Sequence, residues 1–336
     1  MSPPDPDPVD ARPVDARPVV IVAGPTASGK SLLAVDIAEK FDGVVINADS
    51  MQVYRGLEVL SAAPDSGLRS RAPHSLYGIL DPSEPCSAGE WRGRAIAEIH
   101  RVHQEGKLPI VTGGTGLYLR SLIEGITRMP PIPLEIRTAI RRRMADEGSP
   151  ALHAELVRRD PDSAAMLDAG DRQRIARALE LMEATGKGLH AWQTGGEPGD
   201  ETGDETGRDE GLRYFSVLLL PPRETLYRAV EARFADMVES GALAEIERLA
   251  ARDLDPALPA MKALGVPDLL RHVRGDIDRE TACLAAAQAT RRYVKRQFTW
   301  FRHQIIADIS IETQYSEKQK DVIFPKIIKF LLTCRL

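Results

Sequence analysis

"IVAGPTASGKSLLAV", residues Ile21 to Val35, decides the fold. Its centre, Gly24-Pro25-Thr26-Ala27-Ser28-Gly29-Lys30-Ser31, satisfies the pattern G-x-x-x-x-G-K-[ST] in full. In that pattern the backbone N–H groups of a glycine-bearing loop, and of the helix that follows, surround a phosphate chain. Lys30 is expected to reach phosphate oxygens and the Ser31 hydroxyl to bind Mg2+. The flanks agree: "VVIVAG" (Val19 to Gly24) is a β-branched apolar run typical of a buried parallel strand, and "KSLLAVDIAEKF" has helical spacing. The motif leaves open whether the anion is the triphosphate of a nucleotide or the diphosphate of another donor.

Outward from this loop, "GVVINADS" (Gly43 to Ser50) reads as a second strand ending at Asp49 and Ser50. "AGEWRGRAIAEIHRVHQEG" is helical, and "KLPIVTGGTGLYLRSLIEG" gives a third strand, a glycine-rich turn and another helix. Alternating units of this length predict an α/β fold with a parallel sheet covered by helices. Ligands of such sheets bind beyond the C-terminal strand ends, where the phosphate loop, Asp49 and the "TGGT" turn all fall. After "MPPIP" (Met129 to Pro133) no strand is expected until "RYFSVLLL" (Arg213 to Leu220), so the core carries a helical insertion. The expected organisation is a disordered tail over 1–17, an α/β core over 18–128 and 212–305, and the insertion over 129–195. An acidic loop over 196–211 and a C-terminal tail over 306–336 complete it.

Bulk composition excludes some classes. A chain of 336 residues with 43% hydrophobic and 28% charged residues is globular, and no apolar run approaches the roughly 20 residues of a membrane helix. Its start, where "PVDAR" occurs twice among Pro and Asp, lacks the basic-then-apolar order of a secretory signal. Cys86, Cys283 and Cys334 have neither disulfide nor zinc spacing, which suits a reducing cytoplasm. The net charge of −5 does not exclude a nucleic acid: Glu197 to Gly211 alone carries −6, leaving +1 for the rest. A monomer is the default.

The chemistry-bearing residues each have a plain alternative. Asp49 could be a metal ligand, a helix cap before Met51 and Gln52, or a general base. "VTGGTG" (Val111 to Gly116) could be a simple turn or could bring Thr115 to a ligand. Arg137, Arg141, Arg142 and Arg143, with Arg172, Arg174 and Arg177, are either a solvated face or a polyanion contact. In "TRRYVKRQFTWFRH", basic residues alternate with Tyr293, Phe298, Trp300 and Phe301, which suits phosphate contact with base stacking but also core packing. No later apolar strand ends in the acid that a nucleotide-hydrolysing motor needs, since "LPIVTGG" ends in Thr and Gly.

Taken together, "GPTASGKS", "NADSMQVYRGLEV", "APHSLYGILDP", "LPIVTGGTGLYLRSLIEG", "DRQRIARALE" and "KRQFTWFR" resemble the bacterial tRNA dimethylallyltransferases, or tRNA isopentenylpyrophosphate transferases. The resemblance runs from Val19 to His303. It implies a P-loop nucleotide-kinase-like core that holds dimethylallyl diphosphate and prenylates N6 of the adenosine 3′ to a tRNA anticodon. It further implies that Gly24, Pro25, Thr26, Ala27, Ser28, Gly29, Lys30 and Ser31 bind diphosphate, with Mg2+ at Ser31. Asp49, Arg233, Thr26 and Lys30 are then the catalytic set. Asp49, Ser50, Met51, Gln52, Thr115, Arg137, Gln173, Arg174, Ile175, Ala176 and Arg177 are the tRNA contacts, and the insertion is the clamp for the anticodon stem-loop. Gly265-Val266-Pro267 and Ser61-Ala62-Ala63-Pro64 depart from the family pattern, the latter by lacking a lysine. An ATP-dependent small-molecule or nucleotide kinase is the alternative, with a non-catalytic RNA-binding module as the third possibility.

Overall fold

The computed structural model describes residues 16–127, 129–194 and 207–334. Its strands are β1 (Arg17–Ala23), β2 (Gly43–Asn47), β3 (His74–Ser75), β4 (Leu108–Gly113), β5 (Leu212–Leu219) and β6 (Ile309–Ile311). They form one sheet in the order β3-β2-β4-β1-β5-β6, and every pairing is parallel. The helices that accompany it are α1 (Lys30–Phe41), α2 (Ser66–Arg71), α3 (Ala88–Gln104) and α4 (Gly116–Glu124). After these come α5 (Leu134–Asp146), α6 (Gly148–Arg159), α7 (Pro161–Ala165), α8 (Arg172–Thr185) and α9 (Leu189–Thr194). The last are α10 (Arg223–Met237), α11 (Leu243–Ala250), α12 (Val266–Val273), α13 (Arg279–Gln304) and α14 (Lys320–Leu331).

β1 lies at the centre, hydrogen-bonded to β4 on one side and β5 on the other. Both its faces are covered, which is why its sequence is apolar without alternation. Val19, Ile21 and Ala23 enter one core with Trp91 and Ile99 of α3, Leu119 of α4 and Phe301 of α13. Val20 and Val22 enter the opposite core with Leu33 and Ile37 of α1 and Ile323 and Ile327 of α14. The period-2 direction of strand side chains thus distributes one strand between two helix layers.

Two compact units result. One comprises residues up to Glu124 and from Arg208 onward, the other Gly125–Gly207. The second unit is α5 to α9, with no strand among its described residues, around its own core of Ile140, Leu152, Leu156, Ile175 and Leu179. Of the N-terminal stretch 1–15 and the acidic stretch at 195–206, nothing lies among the described residues. Arg17, assigned by sequence to the tail, opens β1, and its N–H donates to Gly211 O at 2.8 Å.

The stretch after His303 is not a tail. Ile309–Ile311 adds β6 to the sheet beside β5, and α14 buries Ile323, Ile327 and Phe330 in the α1-side core. Its Ile-rich composition is that of a helix face and an edge strand that need the finished sheet before they have anything to cover.

Candidate active site

The loop between β1 and α1 is wound tightly. Ala27 and Gly29 have left-handed backbone, φ 63° and 92°, and Ser28 N–H donates to Pro25 O at 3.3 Å. Space enforces glycine at both loop ends: a Cβ on Gly24 would lie 2.6 Å from Leu219 O, and one on Gly29 would lie 2.7 Å from Tyr315 Cβ. No side chain caps α1, so the N–H groups of its first turn stay available to an anion. The Ser28 hydroxyl is buried without a hydrogen-bond partner among the described residues, and Lys30 Nζ donates to Pro25 O at 3.4 Å.

Asp49 follows the C-terminal end of β2. Its N–H donates to Asn47 Oδ1 at 2.8 Å, and its Oδ1 accepts from Met51 N at 2.9 Å. No helix starts at Met51, so the helix-cap alternative is not realised; Oδ1 closes a turn instead, and Oδ2 has no hydrogen-bond partner among the described residues. Two cations share its field. Burial, opposed by the Asp49 carboxylate and aided by the Arg233 charge, leaves the Lys30 ammonium lowered to about 8. Burial likewise lowers Arg233, and Asp49 again opposes. The same carboxylate, after burial, raises Tyr77 and Tyr293. Lys30, Asp49 and Arg233 are thus one electrostatic cluster among tyrosines.

The turn Gly113-Gly114-Thr115 closes the cluster. Thr115 Oγ1 accepts from Ser50 N at 2.9 Å and donates to Ser50 Oγ at 3.2 Å, while Thr115 N–H donates to Ala48 O at 3.3 Å. A Cβ on Gly113 would sit 2.1 Å from Ala48 O, which is why β4 ends in glycine. Gln52 Nε2 donates to Ser61 O and Ala62 O, both at 3.0 Å, and Arg233 Nη2 donates to the same Ala62 O at 3.4 Å. Of the sequence-nominated residues, Thr26, Lys30, Asp49, Ser50, Gln52, Thr115 and Arg233 therefore meet here, and Met51 packs partly buried on the core.

Arg137, Gln173, Arg174, Ile175, Ala176 and Arg177 belong to the second unit. Ile175 corrects one expectation: its side chain is fully buried in that unit's core and is closed to an RNA. Several arginines there are committed to neighbours. Arg143 pairs with Glu155 at 2.5 Å, Arg174 with Asp171 at 3.6 Å and Arg177 with Glu180 at 3.6 Å. Arg137 and Arg141 have no ion pair among the described residues.

The stacking alternative for "TRRYVKRQFTWFRH" is also corrected. Phe301 is wholly buried, Phe298 packs with Ala27 against Leu226, Val230 and Val294, and a Cβ on Gly116 would lie 2.3 Å from the Trp300 ring. Phe298, Trp300 and Phe301 are thus committed to packing within the protein, whereas Tyr293 lies in the field of Asp49. Gln297 lies in the same run and carries no role legible in the motif itself. The signal was there in the helical phase: Val294, Gln297 and Phe301 are the buried positions of this stretch, and only one of them is polar.

Among the described residues no group of three or more His, Cys, Asp or Glu side chains could hold a metal. The protein donor offered at the loop is the Ser31 hydroxyl, which fits a hard cation that keeps waters and arrives on substrate phosphates.

Comparison with known proteins shows what the whole chain is similar to. A model of the IPP transferase family matches residues 52–304. The chain is 53% identical over 289 residues to the tRNA dimethylallyltransferase of Rhodospirillum centenum, covering 86% of this chain and 90% of that protein. It is 49% identical over 314 residues to that of Paramagnetospirillum magneticum, covering 94% and 97%. Among solved structures, the tRNA delta(2)-isopentenylpyrophosphate transferase of Staphylococcus epidermidis is 29% identical with a TM-score of 0.64, covering 94% of this chain and 99% of that one. A eukaryotic dimethylallyltransferase acting on tRNA is 25% identical with a TM-score of 0.76, covering 96% and 81%. This α/β chain, with its phosphate loop on an all-parallel sheet, belongs to the IPP transferase family.

Proposed function

We propose that this protein transfers the dimethylallyl group of dimethylallyl diphosphate to N6 of the adenosine 3′-adjacent to the anticodon of tRNA. The observation that carries this reading is the Lys30–Asp49–Arg233 cluster at the mouth of the phosphate loop. One carboxylate, with an oxygen that has no hydrogen-bond partner among the described residues, acts on two desolvated cations. In the reaction the allylic C1–O bond breaks with its electron pair passing to diphosphate. The N6 lone pair forms the new C1–N bond, and the N6 proton goes to Asp49 Oδ2. Residues Gly24 to Ser31 receive the diphosphate, with the Thr26 hydroxyl beside it, while Lys30 and Arg233 balance its growing charge. Ser31 would hold Mg2+, which supplies further charge neutralisation on the phosphate oxygens when bound.

The target base leaves its stack to reach Asp49, at about a few kcal/mol. Ser50, Met51, Gln52 and Thr115 line its approach. Arg137 and the segment Gln173 to Arg177 of the helical unit serve the anticodon stem-loop through exposed side chains and backbone. No helix among the described residues is long and apolar enough to cross a membrane, and Cys86, Cys283 and Cys334 are free thiols. The free thiols suit a reducing cytoplasm, and a monomer is the default reading. ATP as donor is disfavoured because β4 ends in Thr112 and Gly113 without an acid for the nucleotide's metal.

Purified protein, Mg2+, dimethylallyl diphosphate and unmodified tRNA should yield prenylated adenosine, with ATP as an inert control donor. Absence of that product, or phosphoryl transfer from ATP to a small acceptor, overturns the assignment.

A further inference from the structure

Gln297 of α13 is, among the described residues, a buried polar side chain that holds both halves of the site. It is 5% exposed. Its Oε1 accepts from Thr26 N at 2.9 Å, and its Nε2 donates to Gly114 O at 2.7 Å. Thr26 belongs to the phosphate loop, and Gly114 belongs to the turn whose next residue, Thr115, fixes Ser50 beside Asp49. The crossing is close. A Cβ on Gly114 would lie 2.5 Å from Gln297 Nε2, 3.4 Å from Gly24 O and 3.6 Å from Asp49 Oδ2. An amide is the side chain that can accept from one backbone group and donate to another at this spacing. α13 is in turn anchored next to Gln297, since Trp300 lies on Gly116 and Phe301 is fully buried.

We infer that Gln297 is a positioning residue that sets the separation between the phosphate loop and Asp49, and hence the gap across which the prenyl carbon passes. This rests on the transferase reading above. It also means that the Thr26 N–H is occupied by protein and is not among the donors left for diphosphate.

A loosened gap has a chemical signature distinct from lost stability. The allyl group leaves as a resonance-stabilised, cation-like fragment. If N6 is not held against it, water supplies the oxygen that attacks C1, the water proton passes to solvent, and dimethylallyl alcohol forms in place of prenylated adenosine. Gln297→Met keeps shape and removes the hydrogen bonds to Thr26 N and Gly114 O together with the contact to the Tyr293 hydroxyl, the titratable neighbour that faces Gln297 beside Asp49. Gln297→Glu keeps the acceptor for Thr26 N–H and, when ionised, cannot donate to Gly114 O.

With both substrates saturating, Gln297→Met is expected to lower kcat about 10²-fold, the scale of an ångström-sized misplacement. The fraction of donor lost to alcohol should rise, while tRNA and donor Kd stay within about threefold. Gln297→Glu should lose activity at pH 8 and regain it relative to wild type toward pH 5.5, as a protonated carboxyl again donates to Gly114 O. Near-wild-type kcat and alcohol fraction in both variants overturn the inference. So does a loss of activity that tracks thermal unfolding with the alcohol fraction and pH ratio unchanged. A wild-type protein that forms no prenylated adenosine overturns the function itself, so the two failures are distinguishable.

Discussion

The hydroxyl of Tyr315 donates to Asp36 Oδ2 at 2.6 Å, joining the segment after β6 to the helix that the phosphate loop opens. Asp36 Oδ1 meets Arg71 at 2.6 Å, and Lys320 Nζ lies 3.1 Å from Oδ2. Nearer the loop, Tyr315 N–H donates to Ser28 O at 3.1 Å and Gln314 Nε2 donates to Ala27 O at 2.8 Å. The C-terminal segment therefore straps the outside of the phosphate loop and satisfies carbonyls at its left-handed turn.

Tyr315→Phe is expected to cost roughly 1.5–3 kcal/mol at pH 7, the range for a hydrogen bond to a charged group. Burial opposes ionisation of Asp36, but hydrogen bonds from Tyr315, Arg71 and Lys320 prevail and hold its carboxyl below the usual range. Such a group stabilises the fold above its unfolded pKa of about 3.9 and loses that contribution as pH falls through the lower folded value. Urea denaturation should accordingly show a wild-type–mutant gap at pH 7 that narrows below about pH 4. A gap independent of pH would detach Asp36 from the strap.

Asp49→Asn should cut turnover about 10²-fold or more while tRNA Kd is kept, because the amide oxygen still accepts from Met51 N and only the base is lost. Single-turnover rates beside filter-binding Kd measure the two separately. Turnover within a few-fold of wild type would remove Asp49 from proton transfer.

Lys30 links activity and stability to pH in opposite directions. Its lowered value of about 8 means that the folded, ligand-free protein releases this proton while the unfolded chain keeps it up to about 10.5. As pH rises from 8 toward 10.5 the cost of burying the charge is relieved, so this group's contribution to stability improves. Donor capture needs the cation, however. Between pH 7 and 9.5, kcat/KM for dimethylallyl diphosphate should fall about 30-fold through this titration, and kcat at saturation should change less. A flat kcat/KM profile would show that Lys30 stays charged or is not needed.

Arg233→Ala should lower kcat about 10²–10³-fold, the scale of removing one preorganised donor from a developing oxyanion. Arg233→Lys should restore part of it. Glu245 offers a milder probe of the same arm. Its carboxylate accepts from Val59 N at 2.8 Å and Leu60 N at 2.9 Å, holding the loop whose Ala62 carbonyl orients Arg233. Glu245→Ala should destabilise the protein by about 1–3 kcal/mol, as two buried N–H groups lose their acceptor, and raise the donor KM, both measurable on one preparation.

Much of this was legible in the residues alone. The phosphate loop, the strands bearing Asp49 and "TGGT", the strandless insertion and the span of α13 all follow from local patterns: glycine spacing, β-branched runs and helical periodicity. What the sequence by itself determined was therefore the α/β sheet, a loop of the phosphate-cradling pattern and the carboxylate at the neighbouring strand end. The tertiary structure decided the rest. It turned Phe298, Trp300 and Phe301 of α13 inward, buried Ile175 and made the C-terminal segment a strand and a strap. It also set Gln297 between two loops far apart along the chain. Those outcomes depend on which backbone carbonyls and N–H groups arrive together when parallel strands align, and no window of sequence contains both partners of such a contact.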